Sequence, residues 1–316
     1  MRMILRLLLV MLGLAAAPAQ AACSLTAATT TVFAASSSYD VRAASVATVA
    51  APTSLTCNGA ILGVLSANVG TATMTSSNAF RLTNGSGDSI GYRMSADAAG
   101  TVAFTQGSTI DYFNPSLLAL LSVLNPNSFV PTMYATLTDT PNVPAGTYTD
   151  TVVVQWAWQI CRGIGVGGLC ILQEVGSGTT TMTVRIVVGL DCRISAPAVS
   201  FGSAPLASLF GSVTQAVAVD CTKGTPFNIA FTSGTGGASR PWRTMKDGAG
   251  HVLQYNLYRP DATTIWDQTN PLVGAATGTG ATTPGQMIPY VARINPDQAT
   301  PPVGTYTDTV SVVVTF

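Results

Sequence analysis

The chain has 316 residues, and only 9% of them are charged, with 14 basic and 14 acidic side chains balancing to zero. So sparse and neutral a surface makes nucleic acid and anionic membranes poor partners, because neither meets a field strong enough to hold it. A single histidine (His251) and a single glutamate (Glu174) leave little for acid–base or metal chemistry, while the excess of Thr, Ser, Ala, Gly and Val suits short strands and turns.

Residues 1–21 read as an export signal. Arg2 and Arg6 give the positive end, residues 7–14 the apolar run, and Ala19, Gln20 and Ala21 the small-residue cleavage site. The run is too short to cross a bilayer as a helix. Lipidation of Cys23 is the competing reading, but Gln20 stands where that signal wants Leu. Cleavage leaves Ala22 as the first mature residue. The six cysteines of an exported chain then point to three disulfides rather than a metal site, expected as Cys23–Cys57, Cys161–Cys170 and Cys192–Cys221.

Residues 22–177 read as a first domain, residues 178–190 as a linking strand, and residues 191–316 as a second domain. The first domain holds two apolar stretches: residues 58–68, with Ile61, Leu62, Val64 and Leu65, and residues 97–131, with Tyr112, Phe113, Leu117, Leu118, Leu120 and Leu121. A strand then runs from Gly146 to about Ile160 and meets the glycine-rich hairpin Cys161–Cys170, which carries Ile164, Val166 and Leu169. The linking strand alternates, with Met182, Val184, Ile186 and Val188 on one face and Thr181, Thr183, Arg185 and Val187 on the other.

The second domain repeats the first. PAGTYTDTVVV (residues 144–154) returns as PVGTYTDTVSVVV (residues 302–314), Tyr92 as Tyr255, Cys57 as Cys221 and Cys23 as Cys192. The successive spacings are 34, 35 and 56 residues in one copy and 29, 34 and 51 in the other. In the second copy residues 213–219, 227–231, 252–258, 287–294 and 305–316 are strand candidates separated by Gly, Pro, Asn and Asp turns. Such spacing predicts an all-β chain of two immunoglobulin-like sandwiches; because no strand after the second matches the linking strand after the first, the second reads as incomplete and in need of a donor strand.

The paired GTYTDTV motifs, the YNLYRPD segment (residues 255–261) and the Cys-to-Cys openings resemble the spore coat protein U (SCPU) domain family, which includes pilins of archaic chaperone–usher pili. The resemblance covers nearly all of the second domain; the first departs from it between Tyr92 and Met133. It implies sandwiches that lack their last strand and are closed by a neighbour's N-terminal extension. Here an extension precedes Cys192, where it can close the first domain in cis, and none is expected before Cys23, so the chain reads as a fibre cap.

The implied role is a pilus tip adhesin at the cell surface, exported through the periplasm, active in biofilm formation and not an enzyme. The partners expected are a periplasmic chaperone, an outer-membrane usher, an adjacent pilin donating a strand, and a hydrophobic surface or host receptor. Attachment is expected through the three apolar loops, Ile61–Leu65, Tyr112–Leu121 and Ile164–Leu169, at the pole far from the second domain. A receptor-specific lectin and a structural coat or surface-layer protein are the alternatives. No cofactor or metal is expected. The stretch Gly163–Gly168 fits G-x-G-x-x-G formally but opens no predicted helix, and His251 sits in a turn. Asp150 and Asp308 recur in both TYTDT motifs and are expected to serve the fold, and the four tryptophans to serve the core.

Overall fold

The computed structural model describes residues 23–58, 68–117, 128–161, 165–166, 169–170, 173–280 and 285–316. The expected export signal therefore lies outside the described residues. The chain forms two β-sandwiches with separate cores. One gathers Phe33, Leu55, Met74, Ile90, Met94, Val152 and Val184; the other gathers Val217, Phe227, Ile229, Leu257, Trp266 and Tyr290.

In the first sandwich a small sheet pairs Cys23–Leu25 with Leu55–Asn58 and Ser128–Phe129. A larger sheet orders Ala28–Val32, Gln173–Gly189, Gly146–Cys161, Arg81–Thr83, Ser89–Ser95, Met133–Leu137 and Val49–Ala51, with Val69–Ser76 also on Gly146–Cys161. Two strands dominate it: Gly146–Cys161 has 16 residues, Gln173–Gly189 has 17, and they are antiparallel along their whole length. Alternation explains their placement, since Tyr148, Val152, Val154 and Trp156 are buried on one strand and Met182, Val184, Ile186 and Val188 on the other. Trp158 lies across Gly176, where a Cβ would come within 2.4 Å of the indole. A glycine there is the space the ring occupies.

The second sandwich stacks a five-stranded sheet, Cys192–Ser195, Val213–Cys221, Gln286–Ile294, Val252–Tyr258 and Arg243–Lys246, on a three-stranded one, Leu272–Ala275, Pro226–Phe231 and Val312–Thr315. The strand expected over residues 305–316 is shorter than predicted: only Val312–Thr315 forms a ladder, and residues before it make one isolated bridge, Thr307 to Lys246. The pattern for a strand is present there, but strand geometry persists only where a neighbour accepts its hydrogen bonds.

The disulfides are Cys23–Cys57, Cys161–Cys170 and Cys192–Cys221. The first and third join residues directly opposed in antiparallel pairs, so each copy opens with the same staple.

A polar junction joins the sandwiches. The short helix Ser38–Arg42, capped by Ser37, sets Ser38 Oγ 2.9 Å from Thr222 and 2.6 Å from Thr279. Tyr39 donates to the Asp220 carbonyl, and the Arg193 guanidinium lies 3.7 Å above the Tyr39 ring. Lys223 pairs with Asp88 at 2.7 Å, Asn142 donates to the Thr277 carbonyl, and Pro144 bridges to Lys223.

Candidate functional site

The two copies differ at the gap beside the TYTDT strand. In the first sandwich Gln173–Gly189 occupies that gap, antiparallel to Gly146–Cys161 on one side and parallel to Ala28–Val32 on the other. Its inward residues stand opposite the motif: Ile186 faces Tyr148, Val184 faces Asp150, Met182 faces Val152 and Thr180 faces Val154. All eight side chains are buried.

In the second sandwich the same gap is a groove of about 370 Å³. One wall is Ala196–Phe201 and the other is Asp308–Val312; the floor is Phe231, Met245, Tyr255, Leu257 and Tyr290. Among the described residues no strand runs between the walls, so Cys192–Ser195 and Val312–Thr315 each have a strand on one side only. Tyr306, Asp308, Val310, Val312 and Val314 alternate as their counterparts do, yet all five are only half-buried. Tyr148, Val152 and Val154, by contrast, are at 0% exposure. The sequence is the same kind of strand in both; among the described residues only the first copy has a strand on each side of it.

The motif aspartates fix the groove's wall. Asp308 accepts from Tyr255 Oη at 2.6 Å, from Thr235 and from the Thr309 amide, as Asp150 accepts from Tyr92 Oη at 2.7 Å, Ser76 and the Thr151 amide. Burial, reinforced by the carboxylate, pushes both phenols well above the ordinary tyrosine range, so they stay protonated donors. Tyr148 and Tyr306 each donate to the carbonyl of the proline four residues earlier, Pro144 and Pro302. Arg243, paired in register with Tyr255 of the groove floor, is fully buried and donates to the Phe231, Thr232 and Trp266 carbonyls and to Asn256.

The expected attachment residues fall in three groups. Ile61, Leu62, Val64, Leu65, Leu118, Leu120, Leu121 and Ile164 lie outside the described residues. Tyr112 and Leu117 are buried at 1% and 4% exposure, which corrects their reading as loop residues open to a surface. Tyr112 donates to the Thr132 carbonyl and packs its ring near Phe129 and Trp156, because an aromatic in the middle of an apolar stretch gains more by joining the core than by facing water. Phe113 is half-buried against Phe129. Val166 and Leu169 pair across the hairpin closed by Cys161–Cys170.

Val199, Phe201, Met245 and Tyr290 of the groove are not singled out by the sequence. A signal exists for Phe201, which follows its domain's first cysteine at nearly the spacing by which Phe33 follows Cys23. His251 lies in an exposed turn with Nδ1 2.7 Å from Asp247, whose carboxyl that hydrogen bond holds below its usual range.

The family model described as Spore Coat Protein U domain matches residues 10–155 and again 178–313. No curated protein matches. Among solved structures, the CsuC–CsuE chaperone–tip adhesion subunit pre-assembly complex from archaic chaperone-usher Csu pili of Acinetobacter baumannii contains a similar chain. It has a TM-score of 0.59 and 21% identity over 93% of this chain and 100% of that one. The CupB6 tip adhesin of Pseudomonas aeruginosa is more distant, with a TM-score of 0.35 and 14% identity over 84% of this chain and 85% of that one. CfaE, the adhesive subunit of CFA/I fimbria of enterotoxigenic Escherichia coli, gives 0.34 and 10% over 92% of each chain. Both of these are remote likenesses.

Proposed function

The chain belongs to the Spore Coat Protein U domain family, which it matches twice in tandem, and from this premise we propose that it is the tip adhesin of a chaperone–usher pilus. The first sandwich attaches and the second accepts a β-strand from the adjacent pilin. The single observation that carries this reading is the gap beside the TYTDT strand, filled by Gln173–Gly189 in one copy and open as a groove between Ala196–Phe201 and Asp308–Val312 in the other. An open edge over an apolar floor needs a partner: main-chain hydrogen bonds hold the incoming strand, and alternate side chains enter the groove. The likeness to a chaperone–tip adhesion subunit complex supports a periplasmic chaperone as the first occupant, followed at an outer-membrane usher by the neighbouring subunit.

Attachment belongs to the pole opposite the junction. A strand of 16 residues runs from Gly146, near Pro144 and the second sandwich, to Cys161. At ~3.3 Å per residue the hairpin Cys161–Cys170 stands about 50 Å away. Its Ile164, Val166 and Leu169, with Ile61, Leu62, Val64 and Leu65, are the apolar groups proposed to meet a surface and so to initiate biofilm, the chain working at the outside of the cell.

The acceptor reading is tested by closing the groove. A turn and a copy of residues 173–190 are appended after Phe316 in the full chain. The second sandwich should then melt several degrees higher, and the protein should no longer enter pili. An appended strand that leaves melting and assembly as they are would remove the groove from its acceptor role.

A further inference from the structure

We propose that the pole of the second sandwich formed by residues 202–210 and 300–306 is a second, apolar docking surface, taken by the body of the subunit whose strand fills the groove. This rests on the strand-acceptor reading and adds where the donor's own domain sits. The groove and the pole are continuous: Phe201 ends one wall of the groove and Gly202 begins the wall of a second pocket of about 230 Å³, while Tyr306 lines that pocket two residues before Asp308.

The direction of the incoming strand follows from the first copy. There Val188 stands opposite Gly146, so the filling strand leaves at the start of the TYTDT strand. It runs through Leu190 and Asp191 into Cys192, and the sandwich that follows rests on that same pole through Pro144, Asn142, Ser38 and Tyr39. The tyrosine–proline hydrogen bonds identify the matching pole in the second copy, because Tyr306 holds Pro302 as Tyr148 holds Pro144. A strand entering the groove in the same sense delivers its own domain to Pro302.

The chemistry of the two poles differs. Around Pro144 the contacts are hydroxyls, an amide and the Asp88–Lys223 pair. Around Pro302 stand Leu206 at 49%, Leu209 at 60% and a fully exposed Val303, and the pocket between them is lined by Phe210 and Leu253. Exposed leucine and valine grouped around a pocket want apolar cover. The occupant is therefore an SCPU-type domain carrying apolar side chains beside its first cysteine, where this chain's second sandwich carries Arg193, Asp220 and Lys223.

The test is site-specific photo-crosslinking in assembled pili. Full-length protein carries p-benzoylphenylalanine at Leu209, at Val303, at Thr309 on the groove wall, or at Val273 on a remote edge, and crosslinked peptides are mapped by mass spectrometry. The expected result is capture of one neighbouring subunit by all three sites, its N-terminal strand at Thr309 and the residues around its first cysteine at Leu209 and Val303, several-fold above the yield at Val273. Capture at Thr309 with Leu209 and Val303 no better than Val273 overturns the docking surface and leaves the strand-acceptor reading standing. Capture at none of the three overturns both.

Discussion

The phenol of Tyr255 donates to Asp308 at 2.6 Å across the edge of an open groove, and Tyr92 makes the same bond to Asp150 at 2.7 Å inside a closed core. One hydrogen bond thus appears twice in different surroundings: Asp150 is 2% exposed and Asp308 half-exposed. A buried carboxylate depends on each donor it has, whereas a half-exposed one can turn to water. Tyr92→Phe should therefore cost about 1–3 kcal/mol and Tyr255→Phe clearly less. Chemical denaturation of the two variants checks the order, and the gap between them should narrow once the groove is filled.

The strand that fills the first sandwich gives a second contrast. Ile186 is buried opposite Tyr148, while its neighbour Arg185 is exposed. Ile186→Ala should destabilise the first sandwich by about 2–5 kcal/mol. Arg185→Ser should stay within about 0.5 kcal/mol, both read from denaturant midpoints at unchanged slope.

Gly176 is the third position. A Cβ there would meet the Trp158 ring at 2.4 Å, and that ring is large and itself buried. Gly176→Val should cost about 1–3 kcal/mol as the indole is displaced. Tryptophan fluorescence should shift to longer wavelength with it, and an unshifted spectrum would mean that the ring does not rest on this glycine.

The junction has a pH dependence of known sign. The Lys223 hydrogen bond holds the Asp88 carboxyl below its usual range. A carboxyl depressed in the folded state contributes stability above its unfolded value, near pH 4, and loses it as pH falls through the folded value. A double-mutant cycle of Asp88→Asn and Lys223→Ala should give a coupling of only about 0.2–1 kcal/mol at neutral pH, because both side chains touch water, and none near pH 2.

The attachment proposal has its own variant. Ile164→Ser, Val166→Ser and Leu169→Ser together should lower adhesion to plastic several-fold while pilus number stays constant. Normal adhesion on normal pili would take the hairpin out of the attachment role.

Much of the fold is legible in the amino-acid order. Tyr92, Asp150 and Tyr148 recur as Tyr255, Asp308 and Tyr306 because each triplet makes the same hydrogen bonds, and repeated local chemistry leaves repeated letters. Alternation over residues 182–188 is equally plain, since a strand buried on one face must write its pattern with period two. Tyr112 and Leu117 mislead, because an apolar loop and an apolar core segment have one composition. The short final ladder, Val312–Thr315, is hidden as well: Val310 carries the strand pattern without a strand beside it.

The amino-acid order by itself determined the duplication, the β character and the face that residues 182–188 bury, all of which follow from the order and spacing of residues along the chain. Only the tertiary structure decided that the linking strand begins at Gln173 rather than at residue 178, that its outer neighbour is Ala28–Val32 running parallel to it, and that the last strand of the second sandwich keeps its ladder only over Val312–Thr315. The reason is physical: whether a strand has a neighbour is a long-range property, set by where the chain returns in space, and the residues of the edge itself are the same in either case.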